Sequence, residues 1–336
     1  MGAIFFLAAA VLAVAFTPLS KIAAYRIGAV DQPDGRRIHT RPIPRLGGVA
    51  MYAAFWLVAL PAAGENATVR GLFLGSSLLL LAGIYDDARG LAPWPKLLCQ
   101  CLAAAVPFAF GLRVEQVVLP VAGPIALGSW GYVFALIWIV GLINTVNLCD
   151  GMDGLAAGVC GMAALVLAWS AYRIEQQTAA LLLLVLAGTA LGFLRCNFHP
   201  ASVFMGDSGA MFLGYILGGV SLMGTLKTAT VVSLFFPLLV LGVPLIDISF
   251  AVLRRALTGK PIAAADKGHL HHRLLDVGWS HRQAVIVLYV LSFLFCLAAL
   301  LMARQLWLPA ALLVALNLAV IVTIMFRRFR LASSKK

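Results

Sequence analysis

Charged residues are scarce in this 336-residue chain, and their scarcity excludes a soluble globular domain. Only 11% of the residues are Asp, Glu, Lys or Arg, whereas 62% are hydrophobic, and the mean hydropathy is +0.98. Because these values lie far outside the ranges of soluble domains, the lipid bilayer is the relevant solvent. The apolar runs are continuous and lack the alternation of a barrel strand, so the spanning elements are expected to be helices.

Three further features are missing from the sequence. The six cysteines form no C-x-x-C pair and no zinc spacing, so we interpret them as small residues in helix packing. No internal repeat, low-complexity tract or separate soluble domain is visible, and 1–336 is expected to form a single integral membrane domain. The apolar start lacks the basic n-region of a cleavable signal peptide and predicts a first transmembrane helix.

Hydropathy and helix breakers predict an all-α polytopic protein with about eleven transmembrane helices. Each needs roughly 20 apolar residues to cross a ~30 Å hydrocarbon core. The predicted spans lie near 2–24, 46–63, 70–86, 97–112, 129–146, 154–171, 178–195, 208–225, 229–254, 283–303 and 306–326. The segment 113–128, where Pro and Gly separate β-branched residues, predicts a small external hairpin.

Basic residues determine the predicted orientation, with the N-terminus outside and the C-terminus in the cytoplasm. This orientation leaves only five of the 25 Lys and Arg outside, as the positive-inside rule requires: Arg70, Arg113, Arg173, Lys227 and Arg304. The acidic residues also collect on the cytoplasmic side, where a function would explain them. The net charge of +12 lies in short loop clusters, which favours contact with membrane lipid and phosphates over binding of nucleic acid.

Asp86 and Asp87 end the third predicted helix in the run Gly83-Ile-Tyr-Asp-Asp-Ala-Arg-Gly90. The C-terminus of a helix disfavours negative charge, so a cation should compensate there. The candidates are a bound metal ion, Arg89 and Lys96. A hydrated pair of end-cap carboxylates is the alternative.

Polar residues recur every three positions at the inner end of the fifth predicted helix. Asn144, Asn147 and Asp150 share one side of that helix, and Gly151 and Gly154 then allow the backbone to turn. Amide and carboxylate oxygens are hard ligands that suit Mg²⁺. The alternative is a polar helix seam followed by a glycine hinge.

Asp207 lies in the run Val-Phe-Met-Gly-Asp-Ser-Gly, just before the eighth predicted helix, where Asp is also a common N-cap. Its predicted membrane level matches that of Asp86, Asp87 and Asn147, and a metal site between helices requires such a shared level. Asp247 falls in the inner half of the ninth predicted helix. An ionisable group is costly there without a partner or a polar cavity, so Asp247 is predicted to support the site.

The longest predicted cytoplasmic loop carries imidazoles and a guanidinium at His269, His271, His272 and Arg273. A His-x-His-His run without cysteine is a weak zinc signal. Near acidic groups these side chains fit better as donors to a diphosphate. A solvated basic loop is the alternative.

The loop after the first helix contains Arg41 and Arg45 among Pro and Gly residues. Such a patterned basic segment can bring cations to the headgroup of an anionic lipid. Anchoring to bulk anionic lipid is the alternative interpretation.

Together these motifs resemble those of the polyprenyl-phosphate N-acetylhexosamine-1-phosphate transferases. The match consists of P-R-L-G-G, Asp-Asp, N-x-x-N-x-x-D-G-x-D-G-L-A, V-F-M-G-D-S-G and H-x-H-H-R in order, from about Asp31 to Arg282. The H-x-H-H-R form and an eleventh helix resemble the branch that starts teichoic acid, enterobacterial common antigen or O-antigen lipopolysaccharide synthesis. Phospho-MurNAc-pentapeptide translocases, which share the bundle, typically carry three consecutive histidines and ten helices.

The resemblance implies a reaction at the cytoplasmic face of the bacterial plasma membrane. A UDP-N-acetylhexosamine, above all UDP-GlcNAc, gives its sugar-1-phosphate to undecaprenyl phosphate and releases UMP, with Mg²⁺ or Mn²⁺ as cofactor. UDP-N-acetylfucosamine, UDP-N-acetylquinovosamine and UDP-MurNAc-pentapeptide are alternative donors. Direct attack by the lipid phosphate is expected, with a phospho-aspartate intermediate as the alternative. A secondary transporter is the rival from another class, although no repeat supports it, and a homodimer is left open.

The resemblance also implies roles for individual residues. The catalytic set is Asp86, Asp87, Asp150 and Asp207, and the metal ligands are Asp207, Asn147, Asp86 and Asp87. The residues expected to bind the nucleotide sugar are Asn144, Asp153, Asn197, Phe204, His269, His271, His272 and Arg273. The lipid phosphate is assigned to Lys96, Arg41 and Arg45. The loops expected to form this face are 25–45, 87–96, 147–153, 196–207 and 255–282.

Overall fold

A computed structural model describes residues 2–32, 41–119, 123–225, 232–257 and 269–333. These residues are predominantly helical, as the hydropathy predicts. The chain divides into a larger compact unit, Met1–Leu234, and a smaller one, Phe235–Lys336.

The larger unit contains most of the predicted motifs. Its helices are α1 (Gly2–Ile27), α2 (Gly47–Ala63), α3 (Ala67–Arg89), α4 (Pro93–Ala105), α5 (Trp130–Cys149), α6 (Leu155–Arg173), α7 (Gln177–Asn197) and α8 (Gly206–Thr225). A 3₁₀ turn, Val106–Phe110, follows α4. Two short strands, β1 (Val30–Asp31) and β2 (Ile43–Pro44), pair in antiparallel fashion between α1 and α2.

The predicted hairpin between the fourth and fifth helices is confirmed. Strands β3 (Gln116–Leu119) and β4 (Gly123–Ala126) pair in antiparallel register from Gln116 with Ala126 to Leu119 with Gly123. Residues 120–122 between the strands lie outside the described part of the chain.

The remaining helices are α9 (Val232–Val240), α10 (Gly242–Leu257), α11 (Leu270–Asp276), α12 (His281–Ala303) and α13 (Trp307–Ser333). The predicted ninth span, 229–254, is therefore two helices within the described residues, with the break at Leu241. Pro244 lies in the first turn of α10, where the missing amide proton costs little.

Seven of the described helices are long and apolar enough to cross a membrane: α1, α3, α5, α6, α7, α12 and α13 up to Met325. The chain is therefore a multi-pass membrane protein. Helix α2, which corresponds to one predicted span, has only 17 residues. The full count of eleven spans and the orientation stay predictions.

Small residues fill the interfaces between the apolar helices of the larger unit. The buried face of α7 includes Ala187, Gly188 and Ala190, and that of α6 includes Ala157 and Gly161. Small side chains let helix backbones approach closely, which drives helix association where burial of apolar surface gives no advantage over lipid. The bundle therefore holds its polar helix ends in fixed positions.

Candidate active site

Asp87 connects the C-terminal end of α3 to the N-terminal end of α8. Its Oδ1 accepts a hydrogen bond from the backbone N–H of Asp207 at 2.7 Å. Its Oδ2 accepts from the backbone N–H of Ser208 at 3.1 Å and from the hydroxyl of Ser208 at 2.7 Å. The first N–H groups of a helix have no partner within the helix, and Asp87 satisfies two of them. The Asp-Asp run and the Gly-Asp-Ser-Gly run therefore meet, as the sequence predicts.

Lys96 lies between Asp86 and Asp207. Its Nζ is 2.9 Å from Asp86 Oδ2 and 2.8 Å from Asp207 Oδ1, and the Lys96 side chain is only 17% exposed. Burial lowers the pKa of Lys96, but Asp207 and Asp86 outweigh burial and hold that pKa above its ordinary value. Lys96 is thus a compensating cation at the end of α3, whereas the guanidinium of Arg89 lies over the ring of Tyr85.

The groups around Asp207 favour its charged form. Burial raises its pKa, but Lys96, and after it Arg45 and a hydrogen bond from Asn147, lower the pKa below its ordinary value. The structure therefore places two predicted metal ligands, Asp86 and Asp207, at the Lys96 ammonium, and a third, Asn147, at the side chain of Asp207.

Asp150 follows α5 in a region crowded with negative charge. Burial raises its pKa well above the ordinary value, and the carboxylates of Asp207, Asp87 and Asp153 raise it further, while Arg45 opposes them. Because like charges in a buried site disfavour one another, such a cluster is stabilised by added positive charge. Perturbed carboxyl groups of this kind are common at functional sites.

Asn197 joins the loop after α5 to the loop after α7. Its Oδ1 accepts from the backbone N–H of Gly154 at 3.1 Å, and its Nδ2 donates to the carbonyl of Val203 at 2.9 Å. Asp153 makes a second link through His199 Nδ1, which lies 2.7 Å from Asp153 Oδ2. Asn197 and Asp153, two of the residues expected to bind the nucleotide sugar, therefore hold adjoining loops. His199 was not among the predicted site residues, although it lies two positions after Asn197 in the same motif.

The P-R-L-G-G segment runs beside the loop that leads into α8. The carbonyl of Pro44 accepts from the N–H of Phe204 at 2.8 Å, and the carbonyl of Phe204 accepts from the N–H of Gly47 at 3.0 Å. The N–H of Gly48 donates to the carbonyl of Met205 at 2.9 Å. A Cβ atom on Gly48 would overlap the backbone at Gly209, so only glycine permits this approach. The basic loop and the start of α8 are thus paired through their backbones.

The predicted lipid-phosphate arginines differ in placement. Arg45 Nη1 lies 3.6 Å from Asp31 Oδ1, and its charge acts on Asp150 and Asp207. Arg41 is exposed and borders residues 33–40, which lie outside the described chain. Arg45 therefore belongs to the carboxylate cluster, and the role of Arg41 stays a prediction.

Asn144 contributes to a contact between α4 and α5. Its Nδ2 donates to Gln100 Oε1 at 2.7 Å and to the carbonyl of Val140 at 2.8 Å. Gln100 is buried. This side chain is thus engaged within the bundle, and its expected role at the nucleotide sugar stays a prediction.

In the smaller unit Asp247 holds the start of the histidine motif. Its Oδ1 accepts from the backbone N–H of Leu270 at 2.8 Å, and its Oδ2 lies 3.0 Å from His269 Nδ1. Arg273 donates to the carbonyl of Met325. His271 and His272 lie in α11, and of His271 only the backbone is described. Asp247 thus contacts His269, as expected of a supporting residue. Binding of the diphosphate by the histidine motif stays a prediction.

Comparison with known proteins assigns the chain to a family. Residues 69–225, from α3 to the end of α8, match Glycosyl transferase family 4. A probable undecaprenyl-phosphate N-acetylglucosaminyl 1-phosphate transferase of Bacillus subtilis is 38% identical over 296 residues, covering 87% of this chain and 82% of that protein. The chain belongs to glycosyl transferase family 4.

Two further relatives show the range of the family. A decaprenyl-phosphate N-acetylglucosaminephosphotransferase of Mycolicibacterium smegmatis is 34% identical over 315 residues, covering 84% of this chain and 78% of that protein. A phospho-N-acetylmuramoyl-pentapeptide-transferase of Thermotoga maritima is 32% identical over 288 residues, covering 82% and 90%. The family match spans the helices that carry Asp86, Asp87, Asn147 and Asp207.

Proposed function

We propose that this chain transfers GlcNAc-1-phosphate from UDP-GlcNAc to undecaprenyl phosphate, as a UDP-GlcNAc:undecaprenyl-phosphate phosphotransferase. The observation that carries the proposal is the meeting of Asp86 and Asp207 at Lys96, with Asn147 bonded to Asp207, at the ends of four helices. Phosphoryl transfer needs positioned positive charge around phosphate oxygens rather than covalent chemistry by the protein. GlcNAc as the sugar rests on the names of the Bacillus and Mycolicibacterium relatives.

The carboxylate cluster fits a divalent cation. Asp86 Oδ2 is buried, and among the described residues it faces only the Lys96 ammonium. Together with Asp207 and the amide oxygen of Asn147, it offers the hard oxygen ligands that Mg²⁺ requires. We assign Mg²⁺, with Mn²⁺ as a substitute, to these three residues. When bound, the ion would neutralise charge that develops on the phosphate oxygens.

The reaction joins two phosphates at this cluster. An oxygen of the lipid phosphate attacks the phosphorus attached to the sugar, and the bond from that phosphorus to the bridging oxygen of UMP breaks. Because the second pKa of a phosphate monoester is about 6, the acceptor is largely dianionic at neutral pH and needs no strong base. Direct attack is therefore preferred over a phospho-aspartate intermediate.

The residues predicted to position the two substrates are assigned in three groups. Lys96 and Arg45 supply the positive charge nearest the carboxylates, and we assign them, with Arg41, to the acceptor phosphate. The linked loops of Asp153 and Asn197, with Phe204 beside them, are assigned to the uridine. The histidine motif and Arg273 are assigned to the diphosphate and sugar.

The setting of the reaction follows from the charge distribution along the chain. With the eleven spans and external N-terminus that the positive-inside rule predicts, the cluster would lie on the cytoplasmic side of the membrane, where most Lys and Arg are expected. We assign that membrane to the bacterial plasma membrane. The undecaprenyl-diphosphate-GlcNAc product would then begin a cell-envelope glycopolymer such as teichoic acid, enterobacterial common antigen or O-antigen lipopolysaccharide. A homodimer is compatible with this scheme.

Release of UMP by the purified chain tests the proposal. The protein in detergent is mixed with undecaprenyl phosphate, Mg²⁺ and one UDP-sugar at a time: GlcNAc, N-acetylfucosamine, N-acetylquinovosamine or MurNAc-pentapeptide. We expect UMP and the lipid product with UDP-GlcNAc, and none without acceptor or after addition of EDTA.

Three other results would contradict the proposal in different ways. Turnover with UDP-MurNAc-pentapeptide alone would assign the chain to the translocase branch. Turnover with another UDP-sugar alone would keep the chemistry and change the donor. Substrate flux across vesicles without UMP formation would favour the transporter alternative.

A further inference from the structure

Asp87 differs from its neighbour Asp86 in what its carboxylate contacts. Both oxygens of Asp87 accept hydrogen bonds from the first turn of α8, three in all, and the residue is only 7% exposed. Asp86 Oδ1 accepts a single bond, from the N–H of Leu91 at 2.6 Å, and its Oδ2 faces Lys96. Asp86 thus points into the cluster, whereas the oxygens of Asp87 are directed at the backbone of α8.

The first turn of α8 receives no capping oxygen from the side chain of the preceding residue, because that residue is Met205. The residue before Asp207 is Gly206, whose φ of 69° lies in the left-handed region. A Cβ atom there would overlap the carboxylate of Asp87 and the carbonyl of Arg45. The turn is therefore held from one side by Asp87 and from the other by the P-R-L-G-G backbone. The partial positive charge of a helix N-terminus also favours a carboxylate at this place.

The position of the Asp207 side chain follows from this arrangement. Its own N–H is bonded to Asp87 at 2.7 Å, so the carboxylate that meets Lys96 extends from a backbone unit that Asp87 fixes. Loss of the bond would let the start of α8 shift, and Asp207 would move relative to Asp86 and Asn147. Groups that orient metal ligands without touching the metal typically change affinity by about 10–100-fold.

We propose that Asp87 is a positioning residue that places Asp207 by capping α8, and that Asp86 alone of the pair faces the divalent ion. This proposal rests on the proposed function for the identity of the ion site. Asp86 would then face the reacting groups, and Asp87 would hold the first turn of α8 in place.

Binding of Mn²⁺ to the purified full-length chain, followed by EPR without substrates, tests the proposal. The variants are Asp87→Asn, Ser208→Ala, their combination, and Asp207→Asn as the reference for loss of a ligand. In Asp87→Asn the amide oxygen can still accept from Asp207 and the amide nitrogen can donate to the Ser208 hydroxyl. We expect Mn²⁺ affinity to fall about tenfold in Asp87→Asn and to be lost in Asp207→Asn.

Ser208→Ala distinguishes positioning from ligation, because Ser208 bonds Asp87 and is not a predicted ligand. We expect it to weaken Mn²⁺ binding in the same direction as Asp87→Asn. The double variant should bind Mn²⁺ more weakly than multiplication of the two single effects predicts. Without the Ser208 hydroxyl, the side-chain nitrogen introduced by Asp87→Asn would face only the backbone N–H of residue 208, which cannot accept its hydrogen bond. In these variants the metal concentration that gives half-maximal activity should rise, while the KM for UDP-GlcNAc is unchanged. Asp87→Ala should bind Mn²⁺ more weakly than Asp87→Asn.

The opposite pattern would overturn the proposal. Complete loss of Mn²⁺ binding in Asp87→Asn, with wild-type affinity in Ser208→Ala, would make Asp87 a direct ligand. Thermal unfolding in detergent identifies any variant that fails to fold. If Asp87→Ala or the double variant does not fold, Ser208→Ala and Asp87→Asn, which change the side chains less, still test the proposal. Failure of the proposed function is seen separately, as wild-type protein that binds Mn²⁺ and releases no UMP from any UDP-sugar.

Discussion

Replacement of Lys96 by methionine should tighten metal binding and weaken catalysis. Methionine keeps much of the length of the side chain and removes the ammonium that lies 2.9 Å from Asp86 and 2.8 Å from Asp207. The strongest positive charge that acts on Asp207 would then be gone, and only that of Arg45 would remain among the causes of its lowered pKa. The same change removes a positive charge that we assign to the acceptor phosphate. Metal affinity should therefore rise while the rate of turnover falls.

The size of the effect follows from Coulomb's law. Two unit charges about 4 Å apart are worth about 4 kcal/mol at the effective dielectric constant near a protein surface. Lys96 can swing away from a bound ion and water screens part of the field, so we expect about a third of that value. This corresponds to about 1.4 kcal/mol, or roughly a tenfold gain in metal affinity.

The assay is Mn²⁺ titration of the wild type, Lys96→Met and Lys96→Arg, paired with UMP release at saturating metal. Lys96→Arg keeps the charge and controls for the loss of the amine. We expect Lys96→Met to bind Mn²⁺ about tenfold more tightly and to turn over far more slowly. Lys96→Arg should stay near the wild-type affinity.

Weaker or unchanged metal binding in Lys96→Met would refute this reasoning. It would mean that the ammonium and the ion do not share the same carboxylates, and Asp86 and Asp207 would no longer be assigned to one ion.

Three further predictions concern the same region. Asp207→Asn should abolish turnover and the dependence on Mg²⁺ while the protein remains folded, as measured by UMP release and thermal unfolding. Gly206→Ala should impair α8 and activity, since a left-handed backbone costs about 1–2 kcal/mol with a side chain and the Cβ overlaps Asp87. Asn197→Ala leaves the N–H of Gly154 and the carbonyl of Val203 without that partner, which should cost about 2 kcal/mol of stability, measured as a lower unfolding midpoint.

Each of these predictions has a result that contradicts it. Near-normal activity in Asp207→Asn would remove that residue from the metal site. A Gly206→Ala protein with wild-type activity would show that the first turn of α8 can shift without consequence. An unchanged midpoint in Asn197→Ala would mean that water replaces the side chain between the loops.

The sequence allowed the meeting of the Asp-Asp and Gly-Asp-Ser-Gly runs to be predicted, because both lie at helix ends on one predicted membrane level. Lys96 was also among the cations proposed to compensate the end of α3. Residue types and spacing therefore indicated the composition of the cluster, although not the contacts within it.

The division of labour between Asp86 and Asp87 could not be predicted from the sequence. It depends on bonds from Asp87 to backbone atoms 120 residues away, and backbone donors leave no mark on residue type. Asn144 shows the converse case. Its threefold spacing predicted that it shares one side of α5 with Asn147, but its hydrogen bond to the buried Gln100 on α4 was not predicted. Pairing across helices leaves no pattern along a single chain.

Helix boundaries show a similar limit. Hydropathy predicted 229–254 to be one span because Asp247 and the terminal Arg254 are the only charged residues within it. The structure divides the described part into α9 and α10. Hydropathy does not reveal this break, because two short apolar helices and one long apolar helix have the same composition. Length and composition alone thus predict the class of fold better than the number of spans.

The most direct test of the central claim is a density map of this protein with Mn²⁺ and UDP-GlcNAc bound. The account predicts metal density in contact with Asp86, Asn147 and Asp207, beside the diphosphate and within reach of Lys96. Metal density beside Asp153 and His199, or a diphosphate bound away from the start of α8, would contradict it.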